Sequence, residues 1–126
     1  MSNFLTANYH AHTFRCQHAV GNERDYIEAA IKMGIKEFGF SDHIPCPFRD
    51  GYISHIRMTM DEAPEYVKTI RALAAEYQND IRIYVGFEAE YIREFYKEQM
   101  NMVQALGVDY LIMGQHFLLS EERGPY

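Results

Sequence analysis

Four short apolar runs, about 30 residues apart as in repeated strand-helix units, each lead into a residue of the kind that binds metals. Phe4 to Tyr9 runs into His10 and His12, Ile35 to Phe40 into Asp42 and His43, Ile81 to Val85 into Glu88, and Val108 to Met113 into His116. Stretches of helical periodicity separate the runs. Strands alternating with helices require right-handed crossovers and a parallel sheet, and parallel α/β folds bind ligands at the carboxyl ends of their strands. The pattern therefore predicts an α/β chain of order βαβαβαβ, with imidazoles and a carboxylate gathered at one end of a parallel sheet.

The intervening segments carry their own signals. Asn22 is a good N-cap, Glu23 and Asp25 suit the positive first turn, and Tyr26, Ile27, Ala30 and Ile31 recur at helical spacing up to Gly34. Gly39 weakens the second strand. Ser41 to Met58, with Pro45, Pro47, Asp50 and Gly51, reads as a long loop over Asp42 and His43, and loops of that length in small domains tend to be functional. Thr59-Met60-Asp61-Glu62 has capping-box spacing, with Pro64 close behind, and Ala63, Val67, Ile70, Ala74 and Tyr77 trace one face of the second helix. The third strand is expected to stop at Gly86. A third helix from Arg93 to Leu106 presents Phe95, Met102, Val103 and Leu106 and ends at Gly107.

A chain of 126 residues allows a single domain, 1–126, with a working core. No apolar run approaches the roughly 20 residues needed to cross a bilayer, and the N-terminus lacks a secretory signal. The expectation is a cytoplasmic protein with no membrane partner, in which Cys16 and Cys46 are reduced thiols. Cys16, inside a histidine cluster, reads either as a thiolate ligand or as a small half-buried residue. A net charge of −6 disfavours a nucleic-acid surface. Bound divalent metals would offset that charge locally, so an anionic small substrate is compatible with it.

Tyr9 to His18 holds three of the six histidines. On an extended chain His10 and His12 point the same way and present two imidazoles to one small volume. Together with His43, His116 and Glu88 they exceed the four ligands of a closed structural zinc site, which points to a multinuclear centre. Metals about 3.5–4 Å apart can share a bridging hydroxide and clamp both the attacking and leaving oxygens of a phosphoester. Mixed nitrogen and oxygen ligation suits zinc, manganese or iron.

The ordered set Tyr9-His10-Ala11-His12-Thr13 with His18, Ser41-Asp42-His43-Ile44-Pro45, Gly86-Phe87-Glu88-Ala89-Glu90-Tyr91 and Gly114-Gln115-His116-Phe117 resembles the successive motifs of the polymerase and histidinol phosphatase (PHP) family. The resemblance is to the histidinol-phosphatase branch and spans essentially the whole chain. It implies a distorted, TIM-like β/α barrel, a di- or trinuclear metal site, and hydrolysis of L-histidinol phosphate to L-histidinol and phosphate, late in histidine biosynthesis. It makes His10, His12, His18, His43, Glu88 and His116 metal ligands, with Glu88 bridging. Glu90 shares the face of Glu88 on an extended chain, so either carboxylate could ligate. Asp42 points away from His43 and reads as a partner orienting an imidazole, or else as an exposed loop carboxylate. His55 matches no ligand position and reads as a surface or substrate-contacting residue.

A closed β/α barrel takes about 250 residues, whereas this sequence ends just past the fourth motif. The family's later ligands, a His and an Asp-x-His type motif, and its phosphate-gripping arginines have no counterpart. Arg15, Arg49 and Arg57 are either phosphate contacts or exposed side chains. The expectation is the N-terminal portion of a longer phosphatase, an incomplete barrel that exposes an apolar edge and inner face and self-associates. Such a piece would hold metal weakly and turn over little substrate on its own. Two other readings are a PHP-type phosphodiesterase or nuclease, and a non-catalytic metal-binding fragment.

Overall fold

A computed structural model describes residues 6–16, 22–48 and 51–114 of the chain. The elements are β1 (Ala7–Ala11), α1 (Glu23–Lys32), β2 (Glu37–His43), α2 (Ala63–Glu76), β3 (Arg82–Ala89), α3 (Tyr96–Leu106) and β4 (Tyr110–Met113), with 3₁₀ turns at Phe14–Cys16 and Met60–Glu62. The four strands form one sheet in the order β1-β2-β3-β4, every pair parallel, as the alternation predicts. This is the strand-helix half of a β/α barrel. His18, His116 and Arg49 lie outside the described residues, as does the Cys16 side chain.

Local signals set the helix ends. Asn22 Oδ1 accepts from the Asp25 N–H at 3.0 Å, and the Asp25 carboxylate accepts in return from the Asn22 N–H at 3.3 Å, so two orphan donors of α1 are satisfied reciprocally. The Thr59 box forms too, with Glu62 Oε1 accepting from the Thr59 N–H at 2.8 Å, but it opens the 3₁₀ turn that runs into α2. Pro64 then occupies the first turn of α2, where its missing N–H costs nothing. Helix α3 begins three residues later than its periodicity indicates, after a turn at 93–95. It closes at Gly107, whose φ of 64° is the left-handed cap that glycine adopts most easily.

One face of the sheet meets the helices. Phe38, Phe40, Ile83, Val85 and Phe87 pack there with Ile27 and Ala30 of α1 and with Tyr66, Val67, Ile70 and Leu73 of α2. The opposite face carries Tyr9, Gly39, Ser41, His43, Tyr84, Gly86, Glu88 and Tyr110, with an open cavity of 650 Å³ lined by Tyr9, Tyr84, Asp109, Tyr110 and Ile112. At the β4 edge Leu111 and Met113 stay 38% and 66% exposed. No helix among the described residues is long and apolar enough to cross a membrane.

Two strands extend past their expected ends. β2 reaches His43, and β3 passes through Gly86 to Ala89. The glycines that read as weak points are instead close-approach sites. A Cβ on Gly86 would collide with the Tyr110 carbonyl oxygen, and one on Gly39 with the Tyr110 hydroxyl. The Tyr110 ring lies across both strands, and its hydroxyl donates to the Tyr9 carbonyl at 2.6 Å. β4 itself starts at Tyr110 rather than Val108; just before it Asp109 bonds to Val85 twice, its N–H donating to the Val85 carbonyl at 2.7 Å and its carboxylate accepting from the Val85 N–H at 2.9 Å.

Gly39→Ala and Gly86→Ala are each expected to cost about 1–3 kcal/mol through overpacking. Adding Tyr110→Val should recover most of the Gly39→Ala loss, since the obstacle there is a side chain. It should recover little at Gly86, where the obstacle is backbone. Urea unfolding of these four variants and of Tyr110→Val alone measures both couplings.

Candidate metal centre

The parallel register sets His43 of β2 directly beside Glu88 of β3. β1 reaches the same place by an irregularity, its register on β2 shifting between Asn8 and Ala11. The imidazoles of His10, in β1, and His12, just past its end, then meet one carboxylate oxygen. His10 Nε2 lies 2.7 Å and His12 Nε2 3.1 Å from Glu88 Oε1. The His12 ring is 4.8 Å from the His43 ring, which places a third imidazole at the cluster. The carboxyl ends of β1, β2 and β3 thus supply the centre, as parallel α/β folds do.

Glu88 is 4% exposed. Burial alone would push its carboxyl up, but the His10 hydrogen bond and the charges of His43, His10 and His12 outweigh it and hold the group below its ordinary range. Its second oxygen lies against the chain leaving β4, where a Cβ on Gly114 would collide with Oε2. The donor atoms of His10, His12 and Glu88 all lie within 4.8 Å of one another. Two imidazole nitrogens and a carboxylate oxygen so gathered fit a divalent cation, which takes such ligands at about 2.0–2.2 Å. The His10 side chain is 53% exposed, so the cluster opens to solvent.

Asp42 is no loop residue. It sits in β2 on the helix-facing side, 1% exposed. Its two oxygens accept from the Thr13 N–H and the Thr13 hydroxyl. His12 Nδ1 stands 4.0 Å from Oδ1, an ion-pair separation too long for a hydrogen bond. Asp42 therefore acts on His12 chiefly through the backbone at Thr13. Burial pushes its carboxyl up to about 6, against the opposing hydrogen bonds from Thr13.

Glu90 has a different partner from Glu88. Arg57 Nη2 donates to Glu90 Oε1 at 3.0 Å, and Arg57 Nη1 to the Ile44 carbonyl at 2.7 Å, with both side chains buried. The long loop is fastened there. Neither Arg15 nor Arg57 is exposed. Arg15, 6% exposed, is held by Glu23 and by Glu65, the latter at 2.8 Å. His55 is a surface residue, and Cys46 is buried, its sulfur accepting from the Gln99 amide at 3.3 Å. The sequence marks Glu23 only for the first turn of α1 and Thr13 only within the first motif, and no spacing rule points to their contacts with Arg15 and Asp42 or to Glu65.

Architecture and site together define a parallel β/α half-barrel whose strand ends carry a metal-type ligand cluster. The PHP domain model matches residues 8–126, and the chain belongs to that family. Among curated relatives, the probable histidinol-phosphatase of Deinococcus radiodurans is 32% identical over 109 residues, covering 86% of this chain and 41% of the relative. The histidinol-phosphatase of Bacillus subtilis is 31% identical over 118 residues, covering 89% and 44%. The chain therefore spans less than half the length of these relatives. A Lactococcus lactis histidinol phosphate phosphatase, solved with zinc, L-histidinol and phosphate, superposes with a TM-score of 0.74 at 24% identity over 90% of this chain and 41% of that one. A Listeria monocytogenes structure gives 0.77 at 22% identity over 89% and 45%.

Because Glu90 and Glu88 do different work, their variants should separate. Glu90→Ala leaves Arg57 buried without its carboxylate and should cost about 3–5 kcal/mol of stability. Glu88→Gln keeps volume and hydrogen bonding and should change metal-free stability by about 1 kcal/mol or less. Chemical denaturation of the two metal-free variants reads the difference.

Proposed function

We propose that this chain is the metal-binding portion of a phosphomonoesterase that hydrolyses L-histidinol phosphate to L-histidinol and phosphate, a cytoplasmic step of histidine biosynthesis. The observation that carries the reading is the convergence of His10, His12 and His43 on the buried Glu88 at the carboxyl ends of three strands. Membership of the PHP family and the histidinol-phosphatase relatives support that substrate class. In this reading residues 1–126 form one domain unit of the barrel. His10, His12, His18, His43, Glu88 and His116 hold two or three divalent cations, zinc, manganese or iron. The cations, when bound, supply Lewis acidity toward the phosphoryl oxygens and the attacking water.

The chain's own residues do the rest. Glu88 contributes the charge that offsets the cations, and its low proton affinity keeps it available as a ligand near neutral pH. Asp42 holds Thr13 and with it the turn that carries His12. His10, at the solvent side, borders the approach of the substrate. Arg15 and Arg57 already bind carboxylates, so neither serves as a phosphate-gripping cation in this reading.

Metal content by elemental analysis and phosphate release from L-histidinol phosphate, read on the same purified sample, test this. In a chain extended to its relatives' length two or more metals are expected, with release that a chelator abolishes and added zinc or manganese restores, whereas the 126-residue chain alone should hold less metal and turn over little. His12→Ala should lower metal content by at least one equivalent. Release from a phosphodiester with none from the monoester would replace the reading by the nuclease one. Bound metal with neither activity, in this chain and in one extended to its relatives' length, would leave a binding module.

A further inference from the structure

We propose that Arg15 is a positioning residue of the metal centre, setting the place of His12 through Thr13; this rests on the metal-binding reading above. β1 makes its last rung with β2 at Ala11, opposite Phe40. Beyond it the chain carrying His12 is held by side chains rather than by the sheet. The Thr13 hydroxyl donates to Asp42 Oδ2 and accepts from the Arg15 main-chain N–H at 3.2 Å and from Arg15 Nη1 at 3.4 Å. The same guanidinium reaches both helices. Nη1 donates to Glu23 of α1, while Nε and Nη2 donate to Glu65 of α2 at 3.1 and 2.8 Å. It also lies 4.7 Å from the Phe14 ring centre and 5.6 Å from that of Tyr66.

Two helices and β2 are thus tied to one hydroxyl, one residue from His12. A buried ion pair adds little net stability over well-packed apolar groups, so what this cluster supplies is geometry. Ligand-orienting groups of this kind alter metal affinity by about 10–100-fold when removed.

The test uses the whole chain and Co²⁺, whose visible absorption reports ligand geometry as well as binding. Arg15→Met combined with Glu23→Gln avoids stranding a buried charge, and Thr13→Val removes the shared hydroxyl with little change of volume. Both are expected to keep a cooperative metal-free melt, to bind Co²⁺ at least 10-fold more weakly, and to show a shifted absorption band; Arg15→Lys should recover part of the loss. Arg24→Met serves as the control, because Arg24 and Glu76 join the same two helices at the surface. It should move the melt without changing affinity or spectrum. Co²⁺ affinity within twofold of the parent, with an unchanged spectrum, overturns the proposal, and if the double variant does not fold, Arg15→Lys, which keeps the charge but loses the fork, decides by the same criterion. A parent that binds no Co²⁺ overturns the metal-centre reading as well, whereas a binding parent with indifferent variants overturns only the role of Arg15.

Discussion

Seven consecutive parallel rungs join Glu37–His43 of β2 to 82–88 of β3, and this one register decides what each residue of the sheet is for. Side chains alternate with period two, so Gly39, Ser41 and His43 share a face with Tyr84, Gly86 and Glu88. Phe38, Phe40 and Asp42 turn with Ile83, Val85 and Phe87 toward the helices. A slip of one residue would carry His43 into the apolar core and turn the fully buried Phe40 away from it. The hydrophobic core thereby specifies the geometry of the candidate metal ligands.

The same alternation places a carboxylate, Asp42, on the apolar side. It is tolerated because Thr13 donates to it twice; the Asp42 main-chain N–H donates in turn to the Tyr66 hydroxyl at 3.3 Å. Tyr66 in turn donates to the Gly86 carbonyl at 2.8 Å. This buried polar layer runs behind the site and joins the end of β1 to β2, β3 and α2. On the other face, Glu88 meets the imidazoles at the carboxyl end while Tyr9, Tyr84 and Tyr110 line the opposite end. Tyr84 and Glu88, four residues apart on β3, are separated by about 13 Å. A cavity of 650 Å³ opens over these tyrosines and reaches Ile112, the β4 neighbour of Glu88. Its place on the concave face matches the interior that further strands fill in a closed β/α barrel.

Much of the fold was legible because its signals are local. Capping residues at Asn22 and Thr59, the left-handed stop at Gly107 and the apolar stripe of α2 depend on neighbours a few residues away, and the structure keeps all of them. Strand ends were less legible. Gly39 and Gly86 look like interruptions until Tyr110 is laid across them, and Tyr110 is 101 residues from the Tyr9 carbonyl it binds.

By itself, the sequence determined the order of elements, the parallel sense of the sheet and the candidates His10, His12, His43 and Glu88, because periodicity and connection length constrain topology before any contact is known. Only the tertiary structure set Glu88 rather than Glu90 against the imidazoles, moved Asp42 from a loop to a buried clamp, and drew Arg15 and Arg57 inside. Those outcomes depend on charges meeting across the fold, Glu90 with an arginine 33 residues away and Asp42 with a threonine 29 away. A charge is admitted to the interior only beside its partner, and which partner arrives is decided by the packing of the whole sheet and its helices.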